Sequence, residues 1–139
     1  MNFTELLTDL TIQLNAIIRQ VAASNSLSAS QVFHLIAIPH NGIAMSKLSY
    51  KLGLDTSTLT RNIQKMEALD LVSRNRNSLD KRIQILSLSK HGLHTVSQIE
   101  ESLNKLNHSI LNQINLDDQI NIIDVLESLV WSIDCVREQ

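Results

Sequence analysis

The residues best equipped for chemistry lie in "SRNRNSLDKRIQILSL", Ser73–Leu88. Its first ten positions hold Arg74, Arg76, Lys81 and Arg82 against a single anion, Asp80, although the whole chain carries a formal net charge of −2. Cations crowded into a turn between two strand-like runs suit the clasping of phosphate or entry into a nucleic-acid groove. Asp80, two positions before Arg82, can hold that guanidinium in one orientation through a charge-assisted hydrogen bond. This chemistry is recognition. The chain has no Gly-rich phosphate loop, no metal-ligand motif with full spacing and no nucleophile motif, so no catalytic residue, metal or cofactor is assigned and an enzyme is not expected.

Charge is segregated along the whole chain. From Lys47 to Lys90 nine Lys/Arg face four acids, a net of +5, while the remainder nets −7. A basic middle between acidic arms fits a polyanion-binding face on a body held away from that polyanion. A solvated surface segment would show the same imbalance, so the charge needs a scaffold before it means anything.

The scaffold is legible in the middle of the chain. "LSASQVFHLIAI" opens with a capping box, Ser28 and Gln31, and Pro39 and Gly42 stop the helix that follows. "MSKLSYKLGL" is a second short helix, with Leu48 and Leu52 on one face and Gly53 past its end. Asp55 can cap a third, "TSTLTRNIQKMEALD", in which Leu59, Ile63, Met66 and Leu69 share the core face. Ser57, Arg61 and Gln64 point the other way, with Thr60 and Lys65 on the flanks and Thr58 in the first turn. Such a polar, hydrogen-bonding face is what reading base edges in a major groove requires. A short helix, a tight Gly turn and a helix with a polar outer face make a helix-turn-helix. "LVSR", the turn-like "NRNSLD" and "RIQILSL", with Leu86 and Leu88 on one strand face, then form a hairpin. The cations of the opening stretch sit at its tip, which makes it a wing.

The arms carry apolar seams. Phe3, Leu7, Leu10, Leu14, Ile17 and Val21 repeat at helical spacing, as do Val96, Ile99, Leu103, Leu106 and Ile110, and again Ile122, Leu126, Leu129, Ile133 and Val136. Leu6, Ile18, Ile123 and Val130 widen these stripes beyond one partner helix. The termini are expected to pack together and, against a second subunit, to form a homodimer. At 139 residues, with 43% hydrophobic and 19% charged residues, the chain should fold as one compact domain. Three Gly and one Pro point to a mostly helical fold. The N-terminus lacks a basic leader, no apolar run approaches the ~20 residues of a membrane span, and the lone Cys135 cannot form an internal disulfide. A soluble, cytoplasmic protein without a membrane partner is expected.

From Leu48 to Gly92 the chain resembles the MarR (multiple antibiotic resistance regulator) transcription regulators. "LSYKLGLDTSTLTRNIQKMEALDLVSR" follows that family's helix-turn-helix, and "DKRIQILSLSKHG" follows its wing signature: Asp, any residue, Arg, a Leu-x-Leu strand end, Ser, then Gly two positions after the next residue. "LSASQ" matches the start of the preceding helix. The resemblance implies a mostly α fold with a small β-hairpin wing, with a dimerisation helix over 1–26, a winged helix-turn-helix over 27–90 and dimerisation helices over 91–139. It implies a homodimeric regulator, a repressor, on a pseudo-palindromic operator in double-stranded DNA. Ser57, Thr58, Thr60, Arg61, Gln64, Lys65, Arg74, Arg76, Lys81 and Arg82 would contact DNA, with Asp80 orienting the wing. Three departures stand out. Asn77-Ser78 replaces a frequent Asp-Pro, which predicts a looser wing tip; Asp70 replaces the Gly that usually ends the recognition helix; and the aromatic residue of the "LSASQ" helix is displaced to Phe33.

The effector signal is not written in the chain. With 3% aromatic residues, a ring-stacking pocket for phenols finds little support. Cys135 among apolar seam residues fits an inert buried thiol better than a redox sensor. His91 and His94 lie one helical turn apart without an evident third ligand, and His34 and His40 fit core-edge or pocket positions. A small-molecule effector of unknown identity stays open. The competing reading is a winged-helix module whose basic face binds an acidic protein without reading DNA sequence.

Overall fold

In the computed structural model, which describes all 139 residues, the chain runs α1 (Phe3–Ser24), α2 (Ala29–Ala37), β1 (Ile43–Ala44), α3 (Met45–Leu52), α4 (Thr56–Ala68), β2 (Val72–Arg76), β3 (Gln84–Leu88), α5 (Lys90–Leu111) and α6 (Leu116–Arg137). Short polar side chains set the helix starts. The Ser28 hydroxyl accepts from the Gln31 amide while the Gln31 side chain accepts from the Ser28 amide, completing the capping box at α2. That helix ends at Ala37 and Ile38 is extended, as the residue before a proline must be to clear the ring. Gly53 closes α3 in the left-handed region (φ 67°). Asp70 takes the same conformation after α4 (φ 57°), a role its short side chain tolerates better than most.

The chain divides into two compact units, Met1–Ser102 and Leu103–Gln139. In the first, Val32 and Leu35 of α2, Leu48 of α3, Leu59, Ile63 and Met66 of α4, Leu71, Val72 and Leu86 of the sheet region and Ile99 of α5 are buried. Burying each is worth about 1.5–3 kcal/mol over leaving it in water. Together they clamp α4 from one side and leave its other side in solvent. Leu69 departs from the expected core face. It is 49% exposed, at the C-cap of α4 on the edge of an open cleft.

The expected hairpin is there, but β3 starts at Gln84, leaving Arg82 and Ile83 in the loop. A third strand joins it. The antiparallel sheet has the order β1-β3-β2, with Ile43 opposite Leu86, Arg74 opposite Leu86 and Arg76 opposite Gln84. Two residues carry no readable period, and β1 forms because β3 offers it a free edge. The Ser and Gly that close the wing signature have separate jobs. The Ser89 hydroxyl donates to the Asp70 carbonyl (2.5 Å) and accepts from the Gly92 amide (2.9 Å), tying α5 to the end of α4. A Cβ on Gly92 would run into the Leu71 carbonyl, so only glycine lets α5 approach this closely.

The seams have unequal fates. Ile18, Val21 and Ala22 of α1 are buried, while Phe3, Leu10 and Leu14 are exposed; in α5 Val96 and Ile99 are buried and Ile110 is not. In the second unit, the Gln119 side chain donates to the Leu111 and Ile114 carbonyls (both 3.0 Å), closing the turn into α6. No residue of α6 is buried, and Leu126, Val130, Trp131, Ile133 and Val136 all meet solvent in the single chain. No helix is long and apolar enough to cross a membrane.

Candidate nucleic-acid interface

The outer face of α4 is polar and differentiated. Ser57, Arg61, Gln64 and Lys65 are exposed, and Thr58 and Thr60 half-buried. Asp55 caps the helix by accepting from the Thr58 amide (2.7 Å), and the Ser57 hydroxyl donates to the same carboxylate oxygen (2.8 Å). The Thr58 amide, then the Ser57 hydroxyl, hold the Asp55 carboxyl down at about 2. The Thr60 hydroxyl donates to the Thr56 carbonyl (2.8 Å). Ser57 and Thr60 therefore spend their protons inside the helix and turn only lone pairs outward. Arg61, Gln64 and Lys65 make no side-chain hydrogen bond and keep their donors for a partner.

The buried side of α4 contains one polar link. His34 of α2 is buried, with Nδ1 2.6 Å from the Ser30 carbonyl and Nε2 3.2 Å from Asn62 Nδ2. A carbonyl can only accept, so Nδ1 carries the proton and Nε2 accepts from Asn62. The ring thus pins α4 to α2, within the range of roles expected for a core-edge histidine. Asn62 itself lies between the core and outer faces and gave no periodic signal. His40 is exposed.

The four wing cations do not form one cluster. Arg74 sits within β2 and is ion-paired to Glu67 of α4 (2.9 Å), so it braces the wing against the helix instead of standing at the tip. Glu67, in the last turn of α4, escaped the sequence reading because the pairing spans a turn and a strand. Arg76 ends β2 and donates to the Lys81 carbonyl (3.2 Å). Lys81 and Arg82 lie in the loop. Asp80 chelates Arg82 as expected: Nε to Oδ1 and Nη2 to Oδ2 at 3.1 Å each, with the Arg82 amide donating to Oδ1 at 3.0 Å. The Arg82 side chain and then its amide lower the Asp80 carboxyl below its ordinary range, and the carboxylate raises the guanidinium further. Arg82 is still 90% exposed, its far edge open.

The wing tip is tighter than Asn77-Ser78 predicts. Asn77 Oδ1 accepts from the Leu79 amide (2.8 Å) and the Asp80 amide (3.2 Å), and the Asn77 amide donates to the Ile83 carbonyl (2.8 Å). An Asn can form this Asx turn without a proline's fixed φ. Away from α4 and the wing, Leu69 lines a cleft of about 390 Å³ with Asn25, Ser26, Leu71, His91 and Gln98. His94, like His91, is exposed, and no group of three or more His, Cys, Asp or Glu is placed to share a metal ion. Cys135 is a free, half-buried thiol.

The family model for transcriptional regulator SarA/Rot matches residues 16–99, which take in both helices of the helix-turn-helix and the whole wing. The chain belongs to the SarA/Rot family of transcriptional regulators. Members are regulators and not enzymes, in line with the absence of any catalytic motif. Among relatives, the HTH-type transcriptional regulator YdgJ of Bacillus subtilis (strain 168) is 26% identical over 105 residues, which is 75% of this chain and 64% of that protein, so the match spans a little under two thirds of that relative. The crystal structure of MarR superposes with a TM-score of 0.83 at 18% identity, covering 99% of this chain and 95% of that one. A MarR variant from E. coli complexed with operator DNA does so at 0.74 and 20% identity, covering 91% of each. This SarA/Rot member therefore has the winged-helix fold of MarR, as the resemblance implies.

Proposed function

We propose that this chain is a homodimeric, sequence-specific DNA-binding regulator that represses transcription from a pseudo-palindromic operator. The observation that carries the reading is α4: its core face is clamped, and its outer face holds Arg61, Gln64 and Lys65 with every donor unspent. Arg61 is the bidentate guanine partner, Gln64 suits adenine, and Ser57 and Thr60 accept from base amino groups. Thr58 and Lys65 flank them. The wing brings Arg76, Lys81 and Arg82 to the minor groove or the backbone, while Arg74 keeps the wing in register with α4.

The dimer rests on the terminal helices. Although α6 also carries acidic residues, it leaves Ile123, Leu126, Val130, Trp131, Ile133 and Val136 in solvent, and apolar surface on that scale suits an interface. The exposed half of α1 offers a second such stripe. Segments 1–26 and 91–139 would supply the interface and 27–90 the DNA contacts. A two-fold axis places both α4 helices in successive major grooves, so half-sites lie about one helical turn apart in an inverted repeat. The operator complex of E. coli MarR supports this reading.

The test is a gel shift at physiological salt. Duplexes enriched by the protein from a random-core library should share an inverted repeat and bind at least ~10³-fold more tightly than unselected duplex. A protein that binds all duplexes and an acidic polypeptide alike would be the protein-interaction module instead.

A further inference from the structure

Leu79 is 96% exposed, more than any other large apolar residue of the chain. It stands at the wing tip, on a turn whose backbone is held from both sides. Its own amide and that of Asp80 donate to Asn77 Oδ1, and the Ile83 amide donates to the Asp80 carbonyl (3.1 Å). The backbone that carries the side chain is therefore held in place. Around it stand Lys81 and Arg82 in the same loop and Arg76 across the hairpin, bonded to the Lys81 carbonyl. An apolar group on a loop that also carries these cations is poorly matched to a hydrophobic protein pocket, which would have to desolvate those charges. It is well matched to a minor groove, where phosphates line the walls and the floor presents base edges and sugar. That groove is about 6 Å wide, and apolar wedges such as leucine enter it between base steps.

We propose that Leu79 is a minor-groove wedge. It inserts at one base step beneath each wing, partly unstacks that step and bends the duplex toward the major groove. The inference rests on the reading that the wing meets DNA, and it adds a source of sequence preference that no hydrogen-bond donor supplies. Pyrimidine–purine steps, TA and CA/TG, unstack most easily, so they should be favoured at the wing positions flanking each half-site. Because Leu79 carries no charge, its contribution is separable from that of Arg82. Because it packs against almost nothing within the chain, truncating it should leave the fold intact.

The experiment uses the full chain, with wild type, Leu79→Ala and Arg82→Ala each enriching duplexes from the same random-core library. A 2-aminopurine is then placed at the flanking step of the duplex that wild type enriches. Wild type should enrich flexible steps at the flanks and raise the 2-aminopurine fluorescence on binding. Leu79→Ala should keep the inner half-site, lose the flank preference and the fluorescence rise, bend the duplex less by end-to-end energy transfer, and bind it roughly tenfold more weakly. Its salt slope should match wild type, whereas that of Arg82→Ala should fall. If Leu79→Ala enriches the same flanks and unstacks the same step, the wedge is overturned while DNA binding stands. If wild type enriches no duplex at all, the DNA reading fails first and the wedge falls with it.

Discussion

Replacing Arg82 by Ala probes the wing at its best-defined point. Asp80 occupies Nε and Nη2, so the remaining edge of a guanidinium that is 90% exposed faces outward on a fixed arm. One phosphate contact per wing makes two per dimer. Each neutralised phosphate contributes about 0.9 to the slope of log K against log salt, so the variant's slope should be shallower by about 1.8. Between roughly 50 and 200 mM salt, a fourfold change, the wild-type advantage should therefore shrink about twelvefold. Asp80→Ala separates charge from geometry: it leaves the cation and removes its brace. That variant should lose less affinity and keep its slope or show a steeper one, since an anion near the phosphates has gone. Fluorescence anisotropy on a labelled duplex across five salt concentrations measures both. A folded, dimeric Arg82→Ala variant with unchanged slope and affinity would refute the idea that the wing touches the backbone.

Other outcomes follow from the same geometry. Arg61→Ala should cost about 1–3 kcal/mol on selected DNA and relax preference at one position per half-site; an unchanged ratio of selected to random binding would remove Arg61 from the reading set. Deleting residues 1–22 strips the exposed stripe of α1 and should give monomeric or insoluble protein, and a truncated chain that sediments as a dimer would contradict the role given to the seams. Asp55 has a folded pKa of about 2 against an ordinary 3.8, so its cap is fully present above about pH 4 and lost as pH falls toward about 2. The melting temperature of wild type should thus fall toward that of Asp55→Asn on acidification from neutral pH to pH 2, and a gap between them that does not change with pH would disprove the cap's titration.

What the sequence by itself determined was local. Ser28 with Gln31, Gly53 and Asp55 each act on backbone groups within a few residues, so their caps and turns are legible without any tertiary contact, and so is the polar face of α4. The chelation of Arg82 by Asp80 is equally local, two residues apart. What the tertiary structure decided are the partners distant along the chain. Glu67 claims Arg74 and turns a presumed tip cation into a brace. His34 selects Asn62 across 28 residues. The two residues of β1 become a strand only because β3 has an open edge, and Gly92 is glycine because the Leu71 carbonyl lies against it. Leu69, apolar and in phase with the core, is exposed at the C-cap of α4, where a cleft opens beside it. Side-chain period says which face a residue would take if the helix continued; only the folded chain says where the helix ends and which distant charge is waiting there.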